Sequence, residues 1–242
     1  MSSPHVGSEG EAAGPLSPAS AGQWKVVHAL AAFAAGIAAA LVAAVPVASG
    51  GITSFEAFAV VGPAQSLAAI VVVALLKRSS MPVREDLGFR FTPADAWGLP
   101  AGAGLQIVLS LLLSLVVIVF FGGEAPVQDV VQVVDEAVGP GTRAAVVVTA
   151  GLLAPVAEEL VFRGILLRAL TRRFSPWAAA LGSAGAFALA HLLDTKAALA
   201  VPALFVAGLV LARQVLVSGR LGGAIAMHAG FNLLSVLLLF LS

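Results

Sequence analysis

The sequence predicts an all-α membrane protein, a polytopic bundle of about seven transmembrane helices, and three observations carry that expectation. The 242-residue chain is 60% hydrophobic and has a mean hydropathy of +1.02. Only 11% of its residues are charged, against about 25% in soluble domains. Its apolar residues also gather in runs of about 20, the length at which a helix crosses a hydrocarbon layer.

Composition excludes several classes of function. Lys plus Arg and Asp plus Glu balance at 13 each, which leaves no basic surface for nucleic acid. The chain has no cysteine, so disulfides, thiolate metal sites and thiol nucleophiles are absent. Zinc held by histidine and carboxylate remains open.

Residues 1–23 are mainly Ser, Gly, Ala and Pro with two glutamates, and read as a disordered, solvated tail with nothing to bury. Residues 24–142 read as N-terminal membrane helices with an interfacial segment, and residues 143–242 as a four-helix membrane core. The expected spans are 25–48, 55–76, 97–121, 143–172, 176–193, 198–216 and 221–241. The first is too long for a signal-peptide core and reads as a retained span, with Val47-Ala48-Ser49 as the place where cleavage would fall otherwise. The fourth is long enough to project beyond the hydrocarbon. Between the third and fourth, Val127, Val130, Val131, Val134 and Val138 share one helical face. That pattern predicts a short helix lying on the outer interface, with a lid over the site as the sharper alternative.

Charge placement predicts the orientation. Lys25, Lys77, Arg78, Arg84, Arg90, Arg168, Arg172, Arg173, Arg213 and Arg220 fall at one set of helix ends, and only Arg143 and Lys196 at the other. The positive-inside rule then puts the N-terminus in the cytoplasm. Trp24, Trp97 and Trp177 each begin a helix on that side, where an indole prefers to sit. The expected location is the plasma membrane.

Chemistry concentrates in the fourth span, at Pro155-Val156-Ala157-Glu158-Glu159-Leu160-Val161-Phe162-Arg163. An ionisable group in hydrocarbon costs about 2.5–3.5 kcal/mol even on lenient scales, so three within two turns read as functional. Glu159 and Arg163 are four apart and face one another, and a paired charge is cheaper to bury than a lone one. Glu158 is left without an obvious cation, and a desolvated carboxylate suits a general base. Pro155 cannot donate its backbone bond and is expected to kink the helix just before the pair.

Two further spans supply partners. The turn between spans four and five falls near Phe174 and Ser175, with Glu158 sixteen residues before Phe174 and His191 seventeen after it. Both therefore lie roughly 24–26 Å from one hairpin turn and meet at one level of the bilayer. In the last span His228 and Asn232 are four apart and share a face. His28, near the interface, reads as structural. No Ser-His-Asp order, HExxH or phosphate-cradling glycine loop is present. The residues in hand are a base for water and donors for an oxyanion, the components of an amide hydrolase.

Together, Glu158-Glu159-x-x-x-Arg163, Phe187-x-x-x-His191 and His228-x-x-x-Asn232, in this order on separate spans, resemble the CPBP family. These are CAAX-processing and bacteriocin-processing intramembrane proteases, also called the Abi family. Phe205-Val206-Ala207-Gly208, Leu221 with Ile225, and the loop Asp86-Leu87-Gly88-Phe89 are similar to further family features. The resemblance covers about residues 143–236 and that loop. It implies a site between four core helices and proteolysis of prenylated CAAX-type proteins or other membrane-associated peptides. It also implies that Glu158 and His191 activate water, that His228 and Asn232 hold the oxyanion, and that Glu159 and Arg163 support them. Glu158, His191 and His228 could form a two-His, one-carboxylate zinc site. Asn232, a poor zinc ligand and a good oxyanion donor, favours a metal-independent glutamate mechanism with zinc as the alternative. The expected partners are a peptide or membrane-protein substrate and the lipid bilayer. The competing reading is a non-catalytic immunity or scaffold protein. A proton-relay transporter is a third, against which stands the lack of a detectable inverted repeat.

Overall fold

The structure, a computed structural model, describes residues 14–17, 22–50, 54–77, 83–123 and 139–241. Among them no strand occurs, and seven helices are long and apolar enough to cross a membrane. They are α1 (Val26–Gly50), α2 (Ser54–Leu76) and α3 (Gly98–Phe121). The rest are α4 (Pro140–Thr171), α5 (Pro176–Ala190), α6 (Val201–Ser218) and α7 (Gly222–Leu241). The protein is an integral membrane bundle, and each span lies within three residues of its expected bounds. The segment holding Val127 to Val138 lies outside the described residues.

Local chemistry sets the helix ends. Ser175 accepts a hydrogen bond from the Ala178 amide at 3.3 Å, and Pro176 follows it at the first helical position of α5, where a missing N–H costs nothing. Gly219 closes α6 with φ of +66°, a left-handed conformation that a side chain would strain. Before α3, Thr92 and Asp95 cap the turn Pro93–Trp97, with the Thr92 amide donating to Asp95 Oδ2 at 2.6 Å.

α4 is the central helix. It touches α1, α2, α5, α6 and α7, while α1 runs along α2, α3 along α7 and α5 along α6. Ile165 and Leu167 on α4 are wholly buried, together with Ala179, Ala180 and Ala184 on α5 and Ala212 and Val215 on α6. Small residues on α5 and α6 thus let their backbones approach, the usual basis of helix association in lipid. α3 meets α7 in the same way. A Cβ on Gly102 would overlap the Met227 carbonyl, and one on Gly230 would overlap the Leu99 carbonyl.

The Arg-rich end of the bundle is tied together by polar bonds. Arg220 pairs with Asp95 at 2.6 Å, Leu221 donates its amide to the Gly88 carbonyl at 2.7 Å, and Arg168 donates to the Gly219 carbonyl at 2.9 Å. Two of the arginines counted as interfacial charges are therefore internal tethers, and Arg168 is almost wholly buried. Trp24 is also not a membrane-interface anchor. It is buried in the protein, edge-on to the His28 ring at 5.6 Å. His28 in turn accepts from the Lys25 amide at 3.3 Å. Nor is the expected tail solvated throughout. Leu16 is buried and donates its amide to the Leu216 carbonyl at 2.8 Å, one of the carbonyls a helix end leaves without an internal partner.

Candidate active site

α4 carries the glutamates on a single regular α-helical stretch, Ala154–Glu159, between two π-helical stretches, Thr149–Leu153 and Leu160–Leu167. The irregularity expected at Pro155 takes this form. A proline ring collides with the carbonyl four residues back, and a widened turn before Pro155 gives it room. π stretches free carbonyls from their usual donors, and side chains of neighbouring helices take two of them. Asn232 donates to the Ala150 carbonyl at 2.8 Å, and Ser183 donates to the Phe162 carbonyl at 2.9 Å.

Glu159 and Arg163 form the predicted pair, at 2.8 Å with both side chains fully buried. Arg163 also donates to the Gly208 carbonyl at 3.1 Å and stacks over the Phe187 ring at 4.5 Å. The pair has a further member. His228 Nδ1 lies 2.9 Å from Glu159 Oε1, the oxygen that already accepts from Arg163. That oxygen belongs to a carboxylate acceptor, so Nδ1 is the donor and carries a proton.

Glu158 differs from its neighbour. Its side chain is 31% exposed, and Oε2 lies 3.6 Å from His228 Nε2. His228 thus stands between the two glutamates, one ring nitrogen towards each. His191 sits at the C-terminal end of α5, its Nδ1 2.9 Å from the Phe187 carbonyl. A carbonyl can only accept, so Nδ1 carries a proton, and in the neutral ring Nε2 is the nitrogen with the lone pair. The Phe187 ring touches both imidazoles, with centroids 4.8 Å from His191 and 5.6 Å from His228.

Glu158, His191, His228 and Asn232 all line one cavity of about 60 Å³, with Phe187 and Met227 among its walls. Level matching along α4 and α5 therefore brings Glu158 and His191 to the same space. Among the described residues no three His, Asp or Glu side chains gather closely enough to hold a metal ion. Glu158, His191 and His228 do not form a ligand set in this geometry.

The sequence pattern placed Glu159 with Arg163 alone, and so missed His228 as its second partner. It also missed Ser183 and Ala150, and it singled out Gly208 only within the run Phe205-Val206-Ala207-Gly208, not as a partner of Arg163. A signal existed for Ser183, which lies four residues before Phe187 and eight before His191, on the same helical face. Gly208 and Ala150 contribute only carbonyls, for which no residue type is diagnostic.

Residues 140–234 match a protein-family model described as "Type II CAAX prenyl endopeptidase Rce1-like". The match begins with α4 and ends inside α7, so it contains every residue of the constellation, and over those helices it bears out the CAAX-protease resemblance read from the sequence; the loop Asp86-Leu87-Gly88-Phe89 lies outside it. No curated protein and no solved structure matches the chain.

Proposed function

We propose that the chain is an intramembrane endopeptidase that hydrolyses a peptide bond in a CAAX-type prenylated protein or another membrane-associated peptide, with Glu158 activating the water. One observation carries the reading: a partly exposed carboxylate opens on a small cavity beside an imidazole whose other nitrogen is fixed by a second, buried carboxylate. A cavity of about 60 Å³ holds a few waters, at about 10–15 Å³ for each. The family match supplies the class of reaction.

In this mechanism Glu158 takes a proton from water, and Nε2 of His191 accepts a hydrogen bond from the same water. The oxygen attacks the scissile carbonyl, forming a C–O bond and an oxyanion. His228, as imidazolium, donates to it from Nε2. Asn232 has a second amide hydrogen beyond the one given to Ala150, and donates that. Glu158 then passes its proton to the leaving nitrogen as the C–N bond breaks. Glu159 and Arg163 hold the imidazole still. We further place the N-terminus in the cytoplasm of a plasma-membrane protein, on the strength of the basic helix ends.

The test compares released peptides and membrane-protein C-termini, by mass spectrometry, in cells carrying the native chain or Glu158→Ala. Cleavage products present only with the native chain are expected. Identical profiles at equal expression would remove the endopeptidase reading and favour a non-catalytic scaffold or immunity role.

A further inference from the structure

Two hydrogen bonds tie the helix that bears the glutamates to the two helices that bear the imidazoles, and each ends on a π stretch. The Ala150 carbonyl, in the stretch before Glu158, accepts from Asn232 of α7 at 2.8 Å. The Phe162 carbonyl, in the stretch after Glu159, accepts from Ser183 of α5 at 2.9 Å. Asn232 lies four residues after His228, and Ser183 eight before His191. Asn232 already has a part in the proposed reaction. Ser183 has none and does not line the cavity, yet it is wholly buried and is the one hydroxyl in α5.

The place of His191 depends on how α5 lies on α4. Its Nδ1 is bonded to the Phe187 carbonyl of its own helix at 2.9 Å, so the ring is carried by α5. That helix is joined to α4 at its start, by the turn that Ser175 caps. His191 stands at the other end, sixteen residues on, roughly 24 Å along the helix. Between them the buried face of α5 offers Ala179, Ala180 and Ala184. Such short side chains let helices approach closely but interlock little. A slip of one residue would move His191 by about 1.5 Å, and a misplacement of about 1 Å can cost a catalytic geometry about 10²-fold.

Ser183 lies midway, eight residues from Ser175 and eight from His191. Its acceptor is a carbonyl that the π geometry frees from its usual donor, and a buried free carbonyl needs a partner. From the same point α4 reaches further along α5. The Phe162 ring lies edge-on to Phe187 at 5.4 Å, and the Arg163 guanidinium lies over the Phe187 ring at 4.5 Å. Phe187 is in turn the residue whose carbonyl holds His191.

We propose that Ser183 is a positioning residue for the hydrolysis: its bond to the Phe162 carbonyl sets the level and rotation of α5 on α4, and thereby where Nε2 of His191 stands relative to Glu158. The reaction it serves rests on the endopeptidase reading. Its hold over α5 does not, and the two can be measured apart.

The test places Ser183→Ala in the full-length chain in proteoliposomes and follows cleavage of a farnesylated CAAX-type peptide. Ser235→Ala is the control, because the Ser235 hydroxyl bonds only a carbonyl of its own helix, that of Phe231 at 3.1 Å. Ser183→Cys, with a weaker donor of similar size, carries the test if the alanine variant does not fold. In each chain 4-fluorophenylalanine at position 187 reports α5 against α4 without any turnover, since Arg163 of α4 lies over that ring. Ser183→Ala should lower kcat by about 10- to 100-fold with KM within about twofold, the pattern of an interaction realised in the transition state. It should also shift or split the fluorine resonance. Ser183→Cys should fall between Ser183→Ala and the native chain, and Ser235→Ala should match the native chain in all three readouts. A kcat near the native value, a rise in KM that accounts for the loss, an equal loss in Ser235→Ala, or an unmoved resonance would overturn the proposal. A resonance that moves in a chain whose native form shows no turnover removes the endopeptidase and leaves Ser183 setting α5 on α4. Native turnover with an unmoved resonance does the reverse.

Discussion

α3 and α4 wall the same cavity and are held in place by opposite means. α4 has half of its apolar window buried inside the protein and α3 only 6%. α4 is fixed through charges and freed carbonyls: Glu159 with Arg163 and His228, Ala150 with Asn232, Phe162 with Ser183. α3 is fixed by what it lacks, since its glycines let it rest on the α7 backbone. In lipid, burying apolar surface supplies little of the force that holds helices together, because the lipid tails are equally apolar. Polar bonds fasten α4, and close backbone contact fastens α3. The two helices should therefore fail in different ways.

The largest effect should come from the polar helix at the residue that is not locked into it. Glu158→Gln keeps the shape and partly exposed position of the side chain and removes its capacity to take a proton. Turnover should fall by about 10²–10⁴-fold, the range for loss of a general base. Stability in detergent should change by less than about 1 kcal/mol, as for most substitutions outside a buried network. Turnover within a few-fold of the native chain would end the assignment of Glu158 as the base.

The next largest effect should come from its locked neighbour, and it should be structural. Glu159→Ala leaves the Arg163 guanidinium buried with no counter-charge, which costs about 3–5 kcal/mol. Replacing both partners, as Glu159→Leu with Arg163→Met, should recover most of that stability and none of the activity, because His228 has lost the carboxylate that fixes its Nδ1. Denaturant titration in mixed micelles measures the first quantity and peptide cleavage the second. If the double variant were as unstable as Glu159→Ala, burial of an unpaired charge would be the wrong account.

For α3 the sharper comparison is between two glycines one half-turn apart. A Cβ on Gly102 would overlap the Met227 carbonyl, whereas Gly104 has nothing within 4 Å. Gly102→Ala should destabilise by about 1–3 kcal/mol through overpacking. It should also lower activity, because Met227 precedes His228. Gly104→Ala should be neutral or slightly stabilising, as expected from helix propensity alone. Equal effects at the two positions would mean that α3 does not rest on α7 as described.

The contrast also explains what could be read from the sequence. Seven spans were legible because length and hydropathy are properties of each segment by itself. Glu159 with Arg163 was legible because both lie on one helix at a fixed spacing, and the four cavity-lining residues because each is a costly polar group in an apolar run. Contacts between helices were not. Nothing in the spacing of His228 says that it faces Glu159 as well as Glu158. Arg168 looked like any interfacial arginine, although it is buried against Gly219, and Trp24 looked like a membrane anchor although it lies inside the protein. The π stretches of α4 were legible only as a proline in a helix. Where the freed carbonyls go depends on Asn232 and Ser183, which arrive from other helices.

The smallest expected effect lies at the Arg-rich end, outside the spans, and extends the comparison to the loop that joins α2 to α3. Asp86 is buried there, and burial raises its carboxyl above the ordinary value of 3.8; Lys77, Arg168 and Trp24 oppose that rise without cancelling it. The sign follows from proton counting. Between 3.8 and the raised folded value, the folded protein holds the Asp86 proton while the unfolded chain has released it. The contribution of this group to stability is therefore greatest when both states are protonated. It declines as pH rises through that window, and is flat above it. Asp86→Asn, which cannot ionise, should lack the decline. The difference in unfolding free energy, native minus Asp86→Asn, should fall on going from about pH 4 towards neutrality and then level off. A difference that rises with pH would mean that the Arg168 and Lys77 charges outweigh burial. Asp86 would then hold the loop as one half of an ion pair, the device that fastens α4, rather than as a neutral group.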